Sequence, residues 1–300
     1  MAHLDIITPT AATAELPVVR SIGPAELRLA LSKGFADFAA MPTHVIFLGL
    51  IYPVIGLLLS RLMFGYQILP LLYPLAAGFA LVGPFAGIGL YELSRRRELG
   101  LDTSWRHAFD VFRSPSLPAI LSLGALLLLI FGIWLAVADA IYVTNFGYRE
   151  PASLREFADK VLRTPEGHNL FVVGNLTGLL FAALAASISV VSFPLLLDRN
   201  AGVAVAMLTS LRVVWHNPAT MALWGLIVAG LLALGSLPFL LGLAIVVPVL
   251  GHATWHLYRL AVEPDPNPRP EYRPPEKGRR YAADFPVSLF SSVKGKGEAK

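Results

Sequence analysis

The stretch FRSPSLPAILSLGALLLLIFGIWLAVA, Phe112–Ala138, decides how this chain is read. It opens in a segment of mixed character, with Trp105, Arg106, His107, Asp110 and Arg113 close together, and at Pro115 it passes into a run that carries no charge until Asp139. A helix needs roughly 20 apolar residues to cross the hydrocarbon core of a bilayer. The run therefore reads as a membrane span. Pro115 reads as the joint before it, because proline's missing N–H costs nothing where a new helix begins.

Composition points the same way. Of 300 residues, 55% are hydrophobic and 15% are charged, with a mean hydropathy of +0.63. Soluble domains carry about 25% charged residues. There is no cysteine, which excludes disulfides, thiolate nucleophiles, cysteine-ligated zinc and iron–sulfur clusters. The opening MAHLDIITPTAATAELPVV has no basic start followed by an apolar core, so it is not expected to act as a secretory signal.

Charge-free intervals give the spans. They run over 38–60, 62–91, 114–138 and 167–197, and a last one, 213–258, is long enough for two spans. LGSLPF, with Gly235, Ser236 and Pro238, supplies the break in it. The fold class expected is an all-α polytopic membrane helical bundle with six transmembrane helices, at about 43–63, 68–91, 117–144, 169–197, 219–236 and 238–258. Residues 1–24 are expected to be a disordered cytoplasmic N-terminus, residues 25–262 the membrane domain, and residues 263–300 a disordered, proline-rich basic tail. With six spans, one side receives only Arg61, Arg149, Arg155, Lys160 and Arg163 of the 24 basic residues. Basic residues stay cytoplasmic, which puts both termini in the cytoplasm of a bacterial inner-membrane protein.

The joint at Pro115 has counterparts at Pro42 and Pro218. Before each, apolar residues recur in steps of three and four: Leu27, Leu31, Phe35 and Phe38; Trp105, Ala108, Phe109 and Phe112; Leu208, Leu211, Val214 and Trp215. Each set reads as a short amphipathic helix lying in the membrane interface, its stripe toward lipid. With Pro84, Pro194 and Pro248 after each hairpin, the pattern reads as three hairpin repeats, each preceded by such a helix. The spacing between units is uneven, and the middle one holds an external insert near 145–168.

GFADFAAMP (34–42), GPFAGIGLYELSRRRELG (83–100) and SWRHAFDVFRSP (104–115) resemble a family of uncharacterised bacterial six-span integral membrane proteins, a domain of unknown function some of whose members are called cytochrome c oxidase subunit I. The resemblance spans most of 20–262 and is strongest over 83–115. It implies the membrane fold and brings no catalytic residue.

Candidate chemistry is sparse. His252 and His256 share a helix face at i, i+4, a spacing that suits a metal; the plainer reading is a pair of interfacial histidines beside Trp255 and Tyr258. Glu92 ends a span and is expected to pair with Arg96. Asp139 and Asn175 fall at similar depths in consecutive spans and are expected to form a clasp between them. The SRRRELG run reads as a topology determinant, or as a site for anionic lipid or protein. No catalytic, nucleotide-binding or metal motif is present, and no cofactor or nucleic-acid partner is expected. The leading expectation is a non-enzymatic membrane scaffold or accessory protein, with the lipid bilayer and other membrane proteins as partners. A transporter or channel, and a respiratory oxidase subunit, are the rivals.

Overall fold

The computed structural model describes residues 16–41, 70–71, 73–75, 83–85, 87–148, 151, 153–237 and 240–265. The named elements are α1 (Pro24–Ala40), α2 (Ile88–Glu98), a 3-10 helix η1 (Trp105–Arg113), α3 (Leu117–Phe146), α4 (Leu154–Arg163), α5 (Pro165–Ser189), α6 (Ser192–Asp198), α7 (Val203–His216), α8 (Pro218–Ser236) and α9 (Leu243–Ala261). The span expected at 43–63, most of the one at 68–91, the joint at Pro42 and the tail beyond residue 265 lie outside the described residues.

The helix starts follow from the prolines. α1, α5 and α8 begin with Pro24, Pro165 and Pro218, and α3 carries Pro118 in its first turn. In those positions the missing N–H leaves no bond unmade. Ser153 and Thr164 cap α4 and α5, accepting from the N–H groups of Glu156 and Gly167. α4 occupies the insert expected near 145–168 and rests against α3 through the Tyr142–Phe157 ring pair.

Three helices are long and apolar enough to cross a membrane: α3, the pair α5–α6 taken together over Pro165–Asp198, and α8. Large apolar side chains stand exposed along them, among them Leu128, Leu129, Leu179, Leu180 and Leu226. Surfaces of that kind need a hydrocarbon solvent. The chain is an all-α membrane bundle. α3 has 30 residues, about 45 Å at 1.5 Å per residue, and so projects beyond a hydrocarbon core of roughly 30 Å. The span expected at 169–197 is interrupted: α5 stops at Ser189 and α6 starts at Ser192, with Ser189 and Ser192 bonded back to the carbonyls of Ala185 and Ile188. The break expected at LGSLPF is present, and glycine closes it. A Cβ on Gly242 would come within 2.8 Å of the Gly235 Cα, so only glycine admits the close return of α9 onto α8.

α9 is the central helix and packs on α1, α2, α8 and α6. Its contact with α1 is close enough that a Cβ on Gly34 would lie 2.6 Å from the Ala253 backbone nitrogen. This corrects the stripe expected on α1. The buried face is Leu27, Ala30, Gly34 and Asp37, turned to α9, while Phe35 is exposed. Small residues win that face because they let two helix backbones approach. α3 and α5 are neighbours, as expected: the Trp134 ring covers Gly178 and lies 5.6 Å from the Phe181 ring.

Residues 16–23, within the segment expected to be disordered, take a defined path. Residues 18–22 form an extended strap between the end of α9 and the start of α8. Arg20 N donates to Ala261 O (2.8 Å), Glu263 N donates to Val18 O (3.0 Å), and Val19 bridges Val262. Asn217 clamps the strap from α8, accepting from Ile22 N at 2.8 Å and donating to Arg20 O at 3.1 Å. The segments before α1 and after α9 therefore run side by side, at the same end of the bundle.

Gly34→Val should lower thermal stability in detergent by about 1–3 kcal/mol, the usual cost of overpacking a tight contact. Gly132→Ala should leave the melting temperature nearly unchanged, since nothing lies within 4 Å of a Cβ there.

Candidate functional site

The fold gathers its buried polar groups at one junction. Asp37 comes from the last turn of α1. Ser94 and Arg97 lie three residues apart on α2, and His252 and His256 four apart on α9, so each pair shares a helix face. Ser94 Oγ donates to Asp37 Oδ2 at 2.6 Å, and Arg97 donates to Asp37 Oδ1 at 2.5 Å. His256 Nε2 stands 2.8 Å from Asp37 Oδ2, and His252 Nδ1 stands 2.8 Å from Ser94 Oγ. Asp37, Ser94, His252 and His256 are all buried. Burial opposes the charge on Asp37. The hydrogen bonds from His256 and Ser94, with the Arg97 guanidinium, outweigh it and hold the carboxyl below its ordinary value of 3.8.

A second network adjoins the first. Glu98 of α2 accepts from Trp255 Nε1 and from Arg259 Nε, both at 3.0 Å. Arg259 reaches Asp198 of α6 at 3.3 Å, and Tyr258 donates to the same carboxylate at 2.6 Å. Arg199 donates to the Tyr258 hydroxyl and to the Glu263 carbonyl.

The arginine run is not an open cationic patch. Arg95 grips Glu92 with two bonds, at 2.8 and 3.1 Å, closer than the 3.8 Å contact from Arg96. The expected Glu92–Arg96 pair is thus the weaker half of the arrangement. Arg96 turns to Asp110 and to the Asp102 carbonyl, tying α2 to η1, and Arg97 takes Asp37. His107 of η1 sits between Asp110 and Asp102, at 2.6 and 3.0 Å.

The other expected positions separate. His252 and His256 are not an exposed interfacial pair; α1 covers them. Among the described residues no three His, Cys, Asp or Glu side chains form a group that could hold a metal. The Asp139–Asn175 clasp is not formed. Asn175 accepts from Tyr73 at 2.7 Å and donates to the Phe171 carbonyl, while Asp139 is exposed. Asp139 lies 22 residues beyond Leu117, the start of α3, about 33 Å along the helix at 1.5 Å per residue. That is close to the full thickness of a hydrocarbon core, so its carboxylate needs no partner inside one. The polar tie between α3 and α5 is instead Asn169 to Asn145, at 2.9 Å. Sequence reasoning missed Asp37 and Ser94. The available signal was the spacing of Leu27, Ala30, Gly34 and Asp37, a helix face of small residues ending on an acid.

Trp105, Phe109 and Phe112 stand exposed on η1 as a row of rings, with centroids 6.1 and 6.4 Å apart. They continue the surface of the segment in which the expected resemblance was strongest. Residues 72–198 match the family described as Predicted integral membrane protein (DUF2189). That match contains 83–115 entirely and bears out the expected resemblance over 72–198; the stretch at 34–42 lies outside it. The DUF2189 segment supplies Ser94, Arg97, Glu98 and Asp198; Asp37, His252 and His256 come from outside it. The junction therefore joins the DUF2189 segment to the elements on either side. No curated protein and no solved structure matches the chain.

Asp37→Ala should lower stability in detergent melts, by about 1–3 kcal/mol for each buried group left without its acceptor, because the Ser94 hydroxyl and the His256 ring both depend on that carboxylate. Arg97→Ala should cost less, since the Arg97 side chain is 39% exposed. The sign with pH follows from the lowered Asp37 value. Its contribution is fully present above pH 3.8 and is lost as pH falls through the folded-state value beneath it. Acid unfolding of Asp37→Asn should show a shallower slope below that point than the wild type.

Proposed function

We propose that the protein is a non-enzymatic scaffold or accessory protein of the bacterial inner membrane, with six spans and both termini cytoplasmic. One observation supports the non-enzymatic reading most strongly. Asp37, Glu92, Glu98, Asp198 and their cationic partners close on one another instead of lining a path or an open cleft. Charges arranged this way hold helices in register and leave no group directed at a substrate. The side-by-side strap and α9 end support an even number of crossings. Three long helices, α9 and the two spans expected within 43–91 make up the six.

The exposed row on η1 supports contact with the lipid interface. In this reading the rings of Trp105, Phe109 and Phe112 enter the boundary between headgroups and acyl chains, while Arg96 holds the other side of η1 on α2.

Chemical crosslinking in native membranes, followed by mild-detergent purification, should recover this chain with a defined membrane-protein partner in fixed ratio. Recovery of the chain alone, with stabilisation by a small solute, would favour a transporter. An intense Soret band in the purified protein would favour a respiratory subunit. Reporter fusions after Arg155 and at Lys300 should report opposite sides, with Lys300 cytoplasmic. Phe109→Asp with Phe112→Asp should lower membrane yield and melting temperature, since each replaces burial worth about 1.5–3 kcal/mol with a charge. Unchanged yield would mean that η1 faces water.

A further inference from the structure

We propose that the outer surface of α1, η1 and α7 is a docking surface for the headgroups of anionic phospholipid, which gathers around the bundle at that end. This deepens the lipid-contact reading of η1 given above and rests on it.

The three elements lie at one end of the bundle. α1 packs on the second half of α9, where Gly34 meets Ala253. η1 leads into Ser116, which donates to the Arg199 carbonyl at 3.5 Å, and Arg199 donates to Tyr258 of α9. α7 ends at Asn217, which clamps the strap beside the end of α9. On the topology proposed above, this end meets the cytoplasmic leaflet, the one that carries acidic lipid.

The 3-10 geometry sets what η1 shows. With three residues per turn, side chains three apart eclipse one another. Ala108 and Val111 face the bundle. Val111 is buried, and the Ala108 Cβ lies 3.1 Å from where a Cβ on Gly89 would stand. His107 and Asp110 form a second row, tied to Arg96 through Asp110. The third row is Arg106, Phe109 and Phe112, and all three are exposed. Trp105 stands at its edge, with the Arg106 guanidinium 6.0 Å from the centre of its ring. A cation is thus set in line with two rings that enter the acyl boundary. The other two elements repeat the pairing. Arg212 of α7 is one helical turn from exposed Leu208 and from exposed Trp215, and Lys33 of α1 is one turn from exposed Leu29.

Charge complementarity names the occupant. The carboxylates of the junction, of the adjoining network and of η1 are engaged within the protein. Glu26 turns back to the Gly23 N–H, and Glu263 meets Arg20 at 3.7 Å. Among the described residues no carboxylate pairs with Arg28, Lys33, Arg106 or Arg212, and all four are exposed. The acids of this end turn inward, so its surplus charge is positive, faces outward and stands beside apolar side chains. An anionic phospholipid meets both needs in one molecule, the headgroup taking the cation and the acyl chains the rings.

The chain's own tryptophans read the test. Trp105 and Trp215 are exposed, while Trp134, Trp224 and Trp255 are buried. The full chain is reconstituted in equimolar phosphatidylglycerol and phosphatidylcholine, with the acyl chains of one or the other brominated, so that only the quencher moves. Brominated phosphatidylglycerol should quench about twice as strongly, since each exposed Lys or Arg draws acidic lipid to the surface. The excess should vanish at an ionic strength of about 1 M, where the Debye length is about 3 Å. It should also vanish in the variant combining Arg28→Gln, Lys33→Gln, Arg106→Gln and Arg212→Gln. Arg155→Gln, on α4 at the far end of α3, should keep it. Equal quenching by the two lipids in the wild type overturns the proposal, leaves the lipid contact of η1 standing and points to an acidic partner protein. An excess that survives in the quadruple variant overturns it equally. Fractional quenching unchanged by Trp105→Phe, with either label, would overturn the lipid-contact reading itself and the proposal with it.

Discussion

The carboxylate of Asp37 is the constraint on which the end of the bundle depends. A charge removed from water must be met by other groups, and Asp37 is met by three, from two helices. Its oxygens determine how far α1 can slide along α9, because Ser94, Arg97 and His256 reach it together in one register. The Gly34–Ala253 contact belongs to the same register. If a larger side chain held the backbones apart at Gly34, the carboxylate one turn on would lose its reach to His256. Close packing and charge pairing are thus one device.

The same logic organises the rest of that end. Three consecutive arginines project in three directions around α2, because successive residues on a helix lie about 100° apart. Arg95 returns to its own helix, Arg96 crosses to η1, and Arg97 crosses to α1. A run that reads as a cationic label along the sequence becomes, on a helix, a three-way connector. Tyr258 and Arg259 of α9 do the same work toward α6, and Asn217 holds the strap. Among the described residues, the apolar spans beyond make few such ties. Trp134 over Gly178 and the Asn145–Asn169 bond are examples, and the remaining surface is left to lipid.

The spans and joints were legible because their signals are local. Absence of charge over twenty residues, a proline at a helix start and a Gly-Ser-Pro break act through the residues that carry them. α3, α8 and the turn between α8 and α9 fall where those signals put them. The candidate positions were read less well, since a polar residue in a span is only half of an interaction. Depth in the membrane pairs Asn175 with Asp139 along the sequence, and in the structure Tyr73 holds it instead. His252 and His256 share one face, as their i, i+4 spacing requires, and that face looks inward.

What the sequence determined by itself is the medium and the segments: a chain this apolar, with its charges collected between uncharged runs, must thread a bilayer. What only the tertiary structure decided is which faces meet. Asp37 and His256, 219 residues apart, carry no trace in the sequence of their contact, because helix periodicity describes a face and not its partner. Leu27, Ala30, Gly34 and Asp37 spell a stripe that lipid, water or protein could cover. Only the close approach of α9, admitted by glycine and secured by one shared carboxylate, makes it the centre of the fold.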